Sequence, residues 1–82
     1  MTNLSVNPIA SNMTLLETPK QIVLFSYATP VASFDKTTYS FSRTSKRWSM
    51  TTSRHINKWL NGASAVEKPQ DYFDNLFNDV GV

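Results

Sequence analysis

Most residues of this sequence that could contact a ligand lie between positions 43 and 61. Guanidinium, ammonium and amide groups neutralise and hydrogen-bond phosphates, and interspersed aromatic residues can stack nucleobases. On a helix, Arg54 and Lys58 lie one turn apart and share a face with two asparagines. We therefore predict a nucleic-acid-binding set made of Arg43, Lys46, Arg47, Arg54, Asn57, Lys58 and Asn61.

Charge is segregated along the chain. Residues 36–66 contain six Lys or Arg and no acidic residue, whereas residues 67–82 contain one Lys and four Asp or Glu. We predict that the basic segment 36–58 contacts nucleic acid. Two alternatives stay open: the acidic C-terminal segment folds back over the basic segment as an intramolecular lid, or the charges form a solvated surface.

Catalysis has little support in the residue types. His55 is the only histidine, and neither an acidic pair nor a glycine-rich loop accompanies it. Cysteine is absent, which excludes disulfides, thiolate metal sites and cysteine nucleophiles. We predict no enzymatic activity, no cofactor and no metal, with His55 at the border of a helical apolar stripe beside Trp59.

The middle of the chain carries strand patterns. Residues 21–27 place apolar side chains on both faces, as in a strand buried on both sides. Thr29-Pro30 predicts a bend, bulge or edge position, after which residues 31–34 resume the strand. TYSFSR then alternates strictly, with Tyr39 and Phe41 on one face of a half-buried antiparallel strand.

Two helices are predicted after these strands. In the first, about 52–61, Ile56, Trp59 and Leu60 form one apolar stripe, Thr51, Thr52 or Ser53 supplies the N-cap, and Gly62 ends the helix. GASAVEKP is expected to be a linker, and the second helix, about 69–80, carries an aromatic arc.

These elements predict a small α+β fold with a bent antiparallel sheet at about 21–50. The chain is predicted to divide into an irregular N-terminal arm (1–20), a basic β-β-α core (21–66) and an acidic amphipathic helix (67–82). Within the arm, residues 13–16 could add an edge strand. The helix is expected to dock on its own sheet or on a second chain. The residues of that interface would be Tyr72, Phe73, Leu76 and Phe77.

The strings LFSYATPVASF (24–34) and WSMTTSRHINKWL (48–60) resemble a small domain of unknown function that recurs in tailed-bacteriophage proteins. The resemblance covers about residues 21–61 and implies a phage accessory protein in the host bacterial cytoplasm. No apolar run reaches the roughly 18 residues of a membrane helix, and the N-terminus lacks a secretory signal pattern. Besides nucleic acid, we expect a homodimer, and the alternative function is a module that binds and modulates a host protein.

Overall fold

A computed structural model of the chain describes residues 5–76. Within these residues, six strands form one sheet in sequential order, and two helices pack on it. The first five strands pair antiparallel, and the sixth runs parallel to the fifth. The predicted α+β class is confirmed. The elements are β1 (Ser5–Ala10), β2 (Met13–Glu17), β3 (Gln21–Ser26), β4 (Thr29–Asp35), β5 (Ser40–Thr44), α1 (Met50–Leu60), β6 (Ala65–Lys68) and α2 (Gln70–Asp74).

The N-terminal segment is not an irregular arm but a β-hairpin. Asn12, at φ 60°, forms the tight turn between β1 and β2. Asparagine tolerates this left-handed conformation better than most residues. Strand β2 pairs with β1 on one side and β3 on the other, so it is an interior strand. Pro8 lies in the outer strand, where a missing amide hydrogen is tolerated.

The segment predicted as one bent strand is a two-stranded hairpin. Strands β3 and β4 are joined by the two residues Tyr27 and Ala28, with Tyr27 at φ 58°. The pairing shifts from Leu24↔Ala32 to Phe25↔Pro30, which leaves Val31 as the extra residue of a β-bulge. The bulge expected near Thr29-Pro30 is therefore present. The sequence pattern does not indicate the chain reversal at Tyr27 and Ala28, which precedes this bulge.

The sheet separates two apolar clusters. Neighbouring strand residues point to opposite faces, and in β3 both Val23 and Leu24 are fully buried. Leu24 packs with Ile56 and Leu60 of α1, whereas Val23 packs with Phe73 and Leu76 at α2. The helices thus cover opposite faces, and β3 is the strand buried on both sides that its sequence predicts.

Strand β5 is shorter than the TYSFSR pattern indicates. Tyr39 precedes it, has φ 57° and is 78% exposed, although its ring, like that of Phe41, packs beside Phe34. Its turn is organised by Asp35, whose carboxylate accepts bonds from the Thr37 hydroxyl and amide and from the Thr38 amide. These bonds, the Thr37 hydroxyl first, hold the pKa of Asp35 below its usual value.

Helix α1 begins earlier than predicted and ends as predicted. Ser49 is the N-cap, and its hydroxyl accepts from the Thr52 amide at 3.1 Å. The three hydroxyl residues predicted as caps lie inside the first turns instead. At the other end, Asn61 and Gly62 both adopt positive φ, and the Asn61 amide donates to the Asn57 carbonyl.

Replacing Ser49 with alanine is expected to destabilise the fold by about 1 kcal/mol, because the Thr52 amide loses its acceptor at the helix start. Thr51→Ala, at an exposed position in the first turn, is the matched control and should change stability by less than about 0.5 kcal/mol. Urea denaturation followed by circular dichroism measures both. A larger effect for Thr51→Ala than for Ser49→Ala would contradict the capping assignment.

The predicted linker after α1 contains a strand. Residues of β6 pair in parallel with β5, from Phe41↔Ala65 to Thr44↔Lys68. Helix α2 follows with Pro69 as its N-cap and ends at Asp74 with Asn75 as its C-cap, so it is shorter than the predicted helix at about 69–80. Residues 77–80 of that prediction lie outside the described residues. Neither helix within residues 5–76 is long and apolar enough to cross a membrane.

Candidate nucleic-acid interface

A polar groove of about 270 Å³ runs between the β5–α1 connection and the first turns of α1. We call it the basic groove, and its lining includes Arg43, Lys46, Arg47, Trp48, Ser53 and Asn57. Four of the seven residues predicted to bind nucleic acid are in this set. Glu67 of β6 also lines the groove and was not anticipated by the sequence analysis.

Two predicted residues from different elements meet at the groove. Arg43 pairs with Ala32 across the sheet, so both lie on the face that α1 covers. Its guanidinium donates to the Asn57 side-chain oxygen at 3.2 Å. This bond uses one of the five guanidinium N–H donors, so donors remain for an anionic ligand.

The other predicted residues lie on the outer face of α1. Arg54, Lys58 and Asn61 are exposed and do not line the basic groove. Asn57 precedes Asn61 by one turn, so it connects this outer face to the groove. The predicted set therefore forms two adjoining surfaces rather than one.

Five basic residues of the positive segment lack a carboxylate partner within residues 5–76. The exception is Lys36, whose ammonium binds Glu17 and donates to the Thr18 carbonyl. Unpaired cations at the surface raise the local positive potential. The charge available at this side of the molecule comes from Arg43, Lys46, Arg47, Arg54 and Lys58.

His55 takes part in a polar cluster next to the groove. The Ser26 hydroxyl lies 2.7 Å from His55 Nδ1 and 3.0 Å from the Thr52 hydroxyl. A serine bonded to a histidine is also the geometry of an activated nucleophile. Ser26 is only 2% exposed, however, so its oxygen is not accessible to a substrate. The cluster satisfies buried hydroxyl groups where α1 packs on β3.

The C-terminal helix docks on its own sheet. Phe73 and Leu76, predicted for a partner or dimer interface, are buried against Val23, and Tyr72 packs beside them. In this arrangement the two buried residues present no surface to a second chain. Phe77, the fourth predicted interface residue, lies outside the described residues.

Of the acids of the proposed lid, Asp71, Asp74 and Asp79, the two within residues 5–76 do not line the basic groove, although Glu67 does. Asp71 and Asp74 are exposed, and neither makes an ion pair with a basic residue of positions 5–76. Asp74 instead accepts a hydrogen bond from Gln70 at 3.0 Å. Asp79, the remaining acid of the proposed lid, is outside the described residues.

No group of three His, Asp or Glu side chains within residues 5–76 is arranged to hold a metal ion. The model of DUF8033, a family of unknown function, matches residues 4–75 of the chain. The chain belongs to this family. The DUF8033 match includes the N-terminal hairpin and α2, which lie outside the resemblance at residues 21–61. No curated protein and no solved structure matches the chain.

Proposed function

We propose that this DUF8033 domain binds nucleic acid without catalysing a reaction, with phosphates held in the basic groove and along the outer face of α1. One observation carries the proposal: Arg43, Lys46 and Arg47 line one groove, and none of them forms an ion pair within residues 5–76, although Glu67 is the cross-strand neighbour of Arg43. Arginine, lysine and amide side chains are the groups that contact phosphates most often. Among the residues that line the groove, Glu67 contributes one negative charge against these three positive charges.

Nearby backbone geometry supports the same ligand class. The first turn of α1 contains no acidic residue, and Thr52 and Ser53 of that turn line the groove. The amide groups at a helix start carry partial positive charge, which adds to that of the cationic side chains. The Thr52 and Ser53 amides already donate to Ser49, so a phosphodiester in the groove would be attracted by the partial charge of the helix end and not bound by these two amides.

Salt dependence tests the proposal. We expect binding of DNA or RNA probes at low salt, with an affinity that falls steeply as salt increases. Replacing Arg43, Lys46 and Arg47 together with alanine should reduce the slope of log affinity against log salt by about 2–3, roughly one per lost phosphate contact. Lys20→Ala, which removes an exposed cation from the turn between β2 and β3, is the charge control and should leave the slope unchanged.

Fluorescence anisotropy with labelled oligonucleotides measures these slopes. No binding of any DNA or RNA probe at low salt would overturn the proposal. So would a triple variant whose slope equals that of Lys20→Ala. Circular dichroism spectra of each variant establish that a lost slope does not reflect unfolding.

The proposed setting is that of a phage accessory protein in the host bacterial cytoplasm, and its support is the resemblance of residues 24–34 and 48–60 to a domain of tailed-bacteriophage proteins. A second candidate function is protein binding through a homodimer. It is favoured by the outer strand β1, which carries Val6, 63% exposed, and Ile9 and pairs with no strand other than β2 within residues 5–76. Light scattering distinguishes a dimer from a monomer, and a monomer without nucleic-acid affinity would leave binding to a host protein as the alternative.

A further inference from the structure

Trp48 is presented at the surface in a fixed orientation. Trp48 is 42% exposed, and its indole Nε1 donates a hydrogen bond to Gln70 Oε1 at 3.1 Å. The other tryptophan, Trp59, packs edge-on against Phe41 with the core cluster under α1. The two tryptophans therefore differ in role: Trp59 contributes to the core, whereas Trp48 is held at the rim of the basic groove.

The amide that holds Trp48 has no freedom to turn. Gln70 Oε1 accepts from Trp48 and from the Thr44 hydroxyl, at 2.8 Å. Its nitrogen donates to the Pro30 carbonyl at 2.8 Å and to Asp74 at 3.0 Å. A glutamine amide has two donors and two acceptor positions, so every one is used. Rotating the amide by 180° would place its NH2 group against the indole N–H donor of Trp48. The same rotation would place its oxygen against the Pro30 carbonyl and the Asp74 carboxylate.

One cation lies over the presented ring and two more lie in the same groove. The Lys46 ammonium is over one face of the Trp48 ring, 4.0 Å from its centroid, and Arg43 and Arg47 line the groove. Binding sites for single-stranded nucleic acid combine these two features, an aromatic ring on which a base stacks and cations that follow the backbone. Preorganisation of the ring lowers the entropy lost when a base binds.

We propose that Trp48 is a base-stacking platform, so that the basic groove selects single-stranded over double-stranded nucleic acid. This inference rests on the proposed function. In a duplex each base is stacked between its neighbours, and its face is unavailable to a side chain. An unpaired base can stack on the indole in place of the Lys46 ammonium, which then contacts the phosphate together with Arg43 and Arg47.

The test compares one oligonucleotide as a single strand and as a duplex with its complement. The wild-type protein should bind the single strand more tightly. Trp48→Ala should weaken single-strand binding by about 5- to 100-fold, the effect of losing one stacked base, and should change duplex binding little. Trp48→Phe retains a stacking face and should recover part of the affinity.

Gln70 is a positioning residue in this proposal, because it acts through Trp48. Gln70→Ala should weaken single-strand binding less than Trp48→Ala, and combining the two should add little to Trp48→Ala alone. Tryptophan fluorescence gives a readout that a purely structural role would not move. Single strands should quench the wild-type emission, whereas Trp48→Phe, which retains only the core Trp59, should show no quenching.

The possible failures are separable. Equal affinity for single strand and duplex, with steep salt dependence, would overturn the stacking platform and leave the proposed function standing. An unchanged single-strand affinity in a folded Trp48→Ala variant would do the same. Absence of binding to either form at low salt would overturn both proposals.

Discussion

Replacing Phe73 with alanine is expected to lower the free energy of unfolding by about 3–5 kcal/mol. Phe73 is fully buried between α2 and the sheet, where it packs with Val23 and Leu76. Helix α2 spans only five residues, too few to be stable without tertiary contacts. Loss of the phenyl ring leaves a cavity and removes the main attachment of this helix.

The effect should also reach the candidate site. Gln70 is the first residue of α2, so a detached helix no longer holds the Trp48 indole. Urea denaturation measures the stability loss, and quenching of tryptophan emission by acrylamide should become stronger in Phe73→Ala even before global unfolding. Val66→Ala, at an exposed apolar position, is the control and should cost less than about 0.5 kcal/mol. A loss below about 1 kcal/mol for Phe73→Ala would contradict its place in the core.

Replacing Leu24 with alanine is expected to cost about 2–5 kcal/mol on the opposite face of the sheet. Leu24 is fully buried in β3 and belongs to the cluster that joins the sheet to α1 through Ile56 and Leu60. Domains of this size have a small margin of stability, so the variant should be largely unfolded at elevated temperature.

Leu24→Met is the matched control, because methionine conserves most of the volume and should cost less than about 1.5 kcal/mol. Thermal unfolding followed by circular dichroism compares the two variants. A Leu24→Ala variant as stable as Leu24→Met would contradict the assignment of Leu24 to the core. Since α1 carries Asn57 and Arg54, a loosened α1 in Leu24→Ala should also weaken the proposed binding of phosphates.

The candidate site was predictable where its residues are close in sequence. Lys46, Arg47 and Trp48 are consecutive, and the spacing of Arg54 and Lys58 places them on one helical face. The contact between Arg43 and Asn57 was not predictable, because it depends on how α1 crosses the sheet. Gln70 was missed for the same reason, since 22 residues separate it from Trp48 and no local pattern marks a glutamine with four hydrogen bonds.

The errors in the fold arise from strand pairing. The N-terminal segment and residues 65–68 lack strong strand patterns, yet both become strands because neighbouring strands offer them hydrogen-bonding partners. The reversal at Tyr27 was missed because its turn has no glycine, although a positive φ is required there. The helix cap was misplaced by a few residues because Ser49, Thr51, Thr52 and Ser53 all suit the position chemically.

The sequence by itself determined the local features of this protein: the amphipathic α1 with its left-handed ending, the burial of β3 on both faces and the concentration of positive charge before the acidic C-terminus. Hydrophobic periodicity and helix capping involve only residues close in sequence, so both can be recognised without the tertiary structure. Only the tertiary structure decided that α1 and α2 occupy opposite faces, that Phe73 is core rather than interface, and that Gln70 fixes Trp48 beside three cations. These outcomes depend on contacts between residues distant in sequence, whose energies no local pattern encodes.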